Sequence, residues 1–391
     1  MLPQGLRLVI TPISPANQSL SRQGAHTVKG MQTSRRLFLR LLATTAVSRF
    51  LLDAVVARPQ QTAADQTDAK QTTFGSIGAL ERGELRLALI SDLNGAYGST
   101  RYSPTVTTGL DLLSELKPDL VLCAGDMVAG QKLSLTDSQL EAMWGSFQST
   151  ILNPLLQQGI GMIPTMGNHD ASSQTTGSRY VFARERHQAA TFWERQKRQL
   201  GFEFIDAERY PFQFSVKQPG LFVVVIDASS ATVDQDQRRW LEQALASESR
   251  SPDDCCVVMG HLPLTAISVG RDRAGECIEN AENLTELMQR HRVDLYLSGH
   301  HHAWYPGTLK GQRVLSLGAM GNGPRRLLGA QRPSDQSLTL LDLFPATKTV
   351  RETTFSLRTM KPISLGSLPT QLSSRSFPSL DRRDTSWAYN S

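Results

Sequence analysis

Short apolar runs recur along the chain, each closed by turn-forming residues. They span Leu85 to Ser91, Leu120 to Ala124, Gly161 to Met166, Leu221 to Ile226, Cys256 to Met259, Val293 to Leu297, Arg313 to Leu317 and Leu338 to Leu343. Their length and flanks predict strands. Between many of them lie segments with helical spacing, at 104–116, 137–158, 178–200, 234–247 and 282–291, and Pro104, Asp137 and Asp234 stand near their starts. Strands alternating with helices predict an α/β domain, which we place at 84–357. The remainder, 358–391, is rich in Ser, Pro, Thr and Arg with little apolar periodicity, and is expected to be mobile or loosely docked.

Charge refines the ends. The formal net charge is +5, a value that suggests an anionic partner. Seven of the 41 basic residues and one of the 36 acidic ones fall within residues 1–57, which leaves 34 basic and 35 acidic residues for the rest. The body therefore carries no overall excess for a polyanion, and no nucleic-acid partner is expected. Ser34-Arg35-Arg36-Leu37-Phe38-Leu39 resembles a twin-arginine export signal. A modest apolar segment comes next and ends in Val55-Val56-Ala57. Residues 1–57 are thus expected to engage the twin-arginine export machinery, with Met31 a candidate start, and 58–83 to form a linker. The expected location is periplasmic or extracellular, with no stable membrane span. Cys123, Cys255, Cys256 and Cys277 form no C-x-x-C pair, so they read as small buried hydrophobes.

The residues just past the strand ends are more informative than the strands. Asp92 comes after the first, Gly125-Asp126 after the second, and Gly167-Asn168-His169-Asp170 after the third. Gly260-His261 and Gly299-His300-His301-His302 come after two later ones. Open α/β sheets place sites at the carboxyl ends of strands, so five strand ends deliver carboxylate, amide or imidazole to one edge. Each motif alone is weak. Their order, D-x-N, GD, GNHD, GH and GHxH, resembles the calcineurin-like metallophosphoesterase family over about residues 84–345.

That resemblance implies two central β-sheets flanked by helices in an α/β/β/α sandwich. It also implies hydrolysis of a small phosphorylated substrate, a monoester or a diester, by a hydroxide bridging two metal ions. A ligand set of carboxylate, amide oxygen and imidazole suits Fe, Mn or Zn. Carried over by position, Asp126 bridges the pair, Asp92 and His302 serve the first ion, and Asn168, His261 and His300 serve the second. His300 and His302, two apart on an extended segment, are expected on one side, with His301 on the other. The resemblance gives His169 the task of protonating the departing alkoxide, with Asp170 orienting that imidazole. Glycines 125, 167 and 299 are expected to turn the chain as the ligands emerge.

One position departs from the pattern. Family members often carry D-x-H where residues 92–94 read D-L-N. Asn94 either coordinates the first metal through its amide oxygen, or hydrogen-bonds around it, or marks an empty first site. The last reading gives the alternative function, a non-catalytic phosphate-binding or scaffold protein. Purple acid phosphatases, a branch without this histidine, use a tyrosine three residues after the bridging aspartate, where this chain has Ala129. Loops at 95–103, 130–144, 171–187 and 303–308 come after ligand strands, so Arg101, Arg184, Trp304 and Tyr305 are candidates for gripping phosphate or leaving group.

Overall fold

The computed structural model describes residues 80–390 apart from Asn322. The expected export signal at 1–57 and nearly all of the 58–83 linker lie outside the described residues. Two large β-sheets carry the domain. In the first, β1 (Leu85–Ile90), β2 (Leu120–Cys123) and β3 (Gly161–Pro164) run parallel. A hairpin of β4 (Thr175–Thr176) and β5 (Arg179–Tyr180) stands apart. The second sheet takes β6 (Glu203–Arg209), β7 (Gln213–Gln218), β8 (Leu221–Val225), β9 (Cys255–Met259), β10 (Leu295–Ser298), β11 (Tyr305–Leu309) and β12 (Gln312–Ser316). The chain then returns to the first sheet with β13 (Ser337–Phe344), which pairs antiparallel with β1, and β14 (Thr349–Ser356).

Side-chain alternation shows how the layers stack. Leu221, Val223 and Val225 of β8, with Cys255, Val257 and Met259 of β9, share a core with β1, β2 and β13. Phe222, Val224, Ile226, Cys256 and Val258 point the other way, into a core with Leu241, Leu245, Leu284, Leu287 and Met288. The last five lie on helices Gln235–Leu245 and Ala281–Arg290. The second sheet is thus covered by the first sheet on one face and by helices on the other. Each such side chain contributes roughly 1.5–3 kcal/mol by burial, so a one-residue slip of register would be strongly disfavoured. On the other flank, helix Pro104–Leu116 buries Val106, Leu112, Leu113 and Leu116 against the core of the first sheet. The layers are those of the expected α/β/β/α sandwich. Arg86 and Asp342 face each other across β1 and β13 and form a buried ion pair at 2.8 Å.

The tail is not loose. β15 (Lys361–Pro362), β16 (Gln371–Leu372), β17 (Leu380–Arg382) and β18 (Ser386–Ala388) add strands to both sheets. Trp387 is buried and donates to Glu352 Oε1 at 2.8 Å, and Arg383 pairs with the same oxygen at 2.7 Å. Tyr389 is fully buried. These three residues sit among polar neighbours in sequence, which is why the segment reads as a loose extension until its partners are known. The four cysteines are free and buried, as their apolar surroundings imply.

Candidate metal centre

The loops after β1, β2, β3, β9, β10 and β12 meet at one edge of the sandwich. Backbone bonds join them: Asp92 N–H donates to Gly125 O at 2.9 Å, Leu93 N–H to Asp126 O at 2.8 Å, Gly299 N–H to His261 O at 3.0 Å, and Gly321 N–H to Asp92 O at 2.9 Å. Four of the expected ligands take left-handed backbone, with φ of 54° at Asp92, 58° at Asp126, 66° at His300 and 51° at His302. Such conformations cost roughly 1–3 kcal/mol each and persist where the surroundings hold them. The strain therefore sits on the ligands more than on the glycines. Gly125 does turn, at φ 94°, but Gly167 is extended at φ −88°. Gly167 is required by space instead. A Cβ there would lie 2.1 Å from Asp126 Oδ1, and one on Gly299 would lie 1.9 Å from Ser91 Oγ and 2.8 Å from Asp92 Oδ2.

Lone pairs converge in this space. His261 Nδ1 lies 2.7 Å from the Ala124 carbonyl, which can only accept, so Nδ1 carries a hydrogen. His261 Nε2 then faces Asn168 Oδ1 at 3.0 Å and Asp126 Oδ1 at 3.4 Å. The Asn168 amide is oriented by donating to Gln131 Oε1 at 2.7 Å, and Gln131 is held by Glu185, which accepts its N–H at 2.8 Å. His302 repeats the arrangement: Nδ1 donates to Gly323 O at 2.9 Å and Nε2 faces Asp92 Oδ1 at 3.2 Å. Asp92 Oδ1 is buried without a hydrogen bond. Ligand atoms of Asp92, Asp126 and His261 all lie within 4.8 Å of one another. Facing acceptors need a cation between them, a proton or a metal, and this oxygen–imidazole set fits the metals expected from the sequence.

The electrostatics agree. Burial opposes charge on Asp126, but His261 and His169 outweigh it and hold its pKa well below the usual range. Burial likewise opposes charge on Asp92, and His302 and His261 outweigh it. Burial opposes charge on His261, yet Asp126 overrides it and pushes that pKa up to about 9.

His300 is held differently. Its Nε2 lies 3.0 Å from Glu276 Oε2, while its backbone N–H donates to Asp92 Oδ2 at 3.1 Å. Nδ1 is the ring atom left for a metal, and the carboxylate on Nε2 sets the ring orientation. Because His300 and His302 both have left-handed φ, the segment is not extended, and an extended-strand pattern does not describe how the two rings are placed. His301 is buried with both ring nitrogens engaged, one by Ile267 N–H and the other by Glu276 O.

His169 and Asp170 part company. His169 is half-buried; its N–H donates to Asp126 Oδ1 at 2.9 Å, its Nδ1 lies 3.2 Å from Gly130 O, and its Nε2 lies 4.0 Å from Asp126 Oδ2. The expectation that Asp170 orients this imidazole is corrected here. Asp170 Oδ1 accepts from Met127 and Val128 N–H at 2.8 and 2.9 Å, and Oδ2 from Asp126 and Gly167 N–H at 2.8 Å each. It ties the GD loop to the GNHD loop, and the Gly130 carbonyl orients His169. Burial and repulsion from Asp126 raise the Asp170 pKa to about 7, against the pull of its backbone donors.

Asn94 is buried beside the site, its N–H on Asp126 O at 3.1 Å, and its side-chain amide makes no hydrogen bond among the described residues. The candidate substrate residues fare poorly. Arg184 pairs with Asp137 at 2.8 Å, Trp304 is buried in the core, and Tyr305 is buried with its hydroxyl on Pro369 O. Arg101 is exposed but does not line the cleft. The cleft over the centre, about 1570 Å³, is instead lined by Tyr97, Arg186, His187, Arg271 and Arg325, among others. Tyr97 covers the His169 ring, with centroids 5.1 Å apart. Sequence reasoning did not single out Arg271, Glu276 or Arg325, because each reaches the site from a loop without a motif.

A family model described as calcineurin-like phosphoesterase matches residues 85–304. An acid phosphatase of Aspergillus ficuum is 31% identical over 131 residues, which make up 33% of this chain and 19% of that protein. The chain thus aligns with about a fifth of that relative's length. Among solved structures, PhoD aligns at 11% identity with a TM-score of 0.49, over 71% of this chain and 66% of that one. GAP50, the anchor in the inner membrane complex of Plasmodium, aligns at 12% identity with a TM-score of 0.44, over 78% and 90% of the two chains.

Proposed function

Because this chain belongs to the calcineurin-like phosphoesterase family, we propose that it hydrolyses small phosphate esters at a two-metal centre held by Asp92, Asp126, Asn168, His261, His300 and His302. The observation that carries this is the convergence of imidazole nitrogens and buried carboxylate oxygens, with ligand atoms of Asp92, Asp126 and His261 all within 4.8 Å of one another. Metals bound there would neutralise phosphoryl charge and lower the pKa of a water toward neutrality, giving a hydroxide nucleophile. Asp126, close to both His261 and Asp92, would be the carboxylate shared between the two ions. His169, with Nδ1 on Gly130 O, keeps Nε2 for the cleft, where it protonates the leaving oxygen.

Asn94 supports a second reading, a phosphate-binding or scaffold protein with a degenerate first site. Metal analysis, with turnover of paired monoester and diester substrates on the same sample, decides. Two Fe, Mn or Zn ions per chain with hydrolysis supports the enzyme. Fully loaded protein inert toward a broad ester panel sinks it. Export by the twin-arginine route stays part of this proposal, resting on Ser34 to Leu39; a reporter fused behind residues 1–57 that stays in the cytoplasm would refute it.

A further inference from the structure

Arg325 stands out among the cations of the cleft. Arg186, Arg271 and Arg273, which line the same cleft, are already committed. Arg186 pairs with Asp227 at 2.7 Å, and Arg273 pairs with Glu276 Oε1 at 2.8 Å. Arg271 and His300 share Glu276 Oε2. Both oxygens of Glu276 are therefore taken. Arg325 makes no side-chain hydrogen bond or ion pair among the described residues, and its Nε is buried without a partner.

Its position is nonetheless built. The Arg325 N–H donates to His302 O at 3.1 Å, and the Gly323 carbonyl two residues earlier holds His302 Nδ1 at 2.9 Å. The backbone around one expected metal ligand thus places this guanidinium, and it lines the same cleft as Asn168, His169 and His300. A guanidinium whose Nε is buried without a partner is completed by an anion set against its donors. A planar fork of donors matches two non-bridging phosphoryl oxygens.

We propose that Arg325 is the residue that grips the substrate's phosphoryl group, and that it biases the site toward phosphomonoesters. A monoester dianion presents three terminal oxygens and two charges, so a pair stays free for the fork when the third is held elsewhere, whereas a diester has two terminal oxygens, one charge and a second ester arm to accommodate. This rests on the phosphoesterase reading above, and names the group that recognises the phosphate.

The test uses metal-loaded full chain and Arg325→Gln, with Arg325→Lys as the conservative variant. Binding of inorganic phosphate is measured by calorimetry, alongside metal content and the ratio of monoester to diester kcat/KM. Loss of one charge-assisted contact should weaken phosphate binding about tenfold to a hundredfold in R325Q, with metal content unchanged and the monoester preference reduced. R325K should recover part of the binding, since it keeps the charge and loses the fork. A loss smaller than about fivefold, or one that tracks lost metal, overturns the proposal. Wild-type protein that binds phosphate through Arg325 but hydrolyses nothing would refute the enzymatic reading and the monoester bias while leaving the Arg325–phosphate contact standing.

Discussion

Asp126 Oδ1 and His261 Nε2 lie 3.4 Å apart, with the far nitrogen of that imidazole tied to the Ala124 carbonyl at 2.7 Å. Metal-free, the pair is joined by a proton, and the His261 pKa is raised from 6.5 to about 9 by Asp126 against burial. Metal must displace that proton. Apparent metal affinity should therefore rise about tenfold per unit from pH 7 to 9 and flatten above. Calorimetry in buffers of different ionisation heat should show about one proton released from His261 near pH 7. The same pair stabilises the metal-free fold fully below pH 6.5 and loses its contribution as pH rises through about 9. Proton-neutral uptake at pH 7 would contradict this pairing.

Asp170 anchors two loops, so Asp170→Asn should act on stability first. One acceptor is lost and an amide donor is set against backbone N–H groups. We expect a loss on the order of 2–4 kcal/mol in denaturant unfolding, with weakened metal binding. If instead the variant unfolds like wild type and only the pH profile of turnover shifts, Asp170 does orient His169 after all.

Gly167 has ordinary backbone, so Gly167→Ala isolates the lack of space against Asp126 Oδ1. Metal affinity should fall at least about tenfold while circular dichroism stays native. Gly145 lies in helix Asp137–Phe147, and a Cβ added there would meet nothing within 4 Å. Gly145→Ala should gain about 0.5–1 kcal/mol and keep full metal content.

His169→Asn should keep its metals and lose roughly 10²- to 10⁴-fold in turnover, most for alkyl esters and least for nitrophenyl esters. Equal loss across leaving groups would show that His169 does not protonate the departing oxygen.

Asn94→Ala separates the roles left open at that position. Direct ligation predicts lost metal at the first site together with lost turnover. Unchanged stoichiometry and turnover would rule it out.

Much of this site was legible before any fold was known. Asp92, Asp126, Asn168, His261 and His302 each lie just past an apolar strand, and those strand ends meet at one edge of the sandwich. Helix Pro104–Leu116 matched its expected bounds, with proline at its first turn and Lys117 closing it in left-handed backbone. Where pattern failed, packing explains it. β6 reads EFIDAER and stays half-exposed, so its alternation is weak, and β14 reads TVRETTFS, with polar residues that the sheet buries. The segment 137–158 is helical, but it is broken by a π-helical turn at Gln148–Leu152.

The order of apolar runs and ligand residues determined the strand-end chemistry, because alternation and strand length are local properties of the chain. Only the tertiary structure decided that Asp170 turns from its neighbour His169 to four backbone donors. It alone brought Glu276 to His300 and Arg325 to the cleft, and docked the tail through Trp387. Those outcomes depend on which distant groups come within a few ångströms of one another, and that distance is not written in any local pattern.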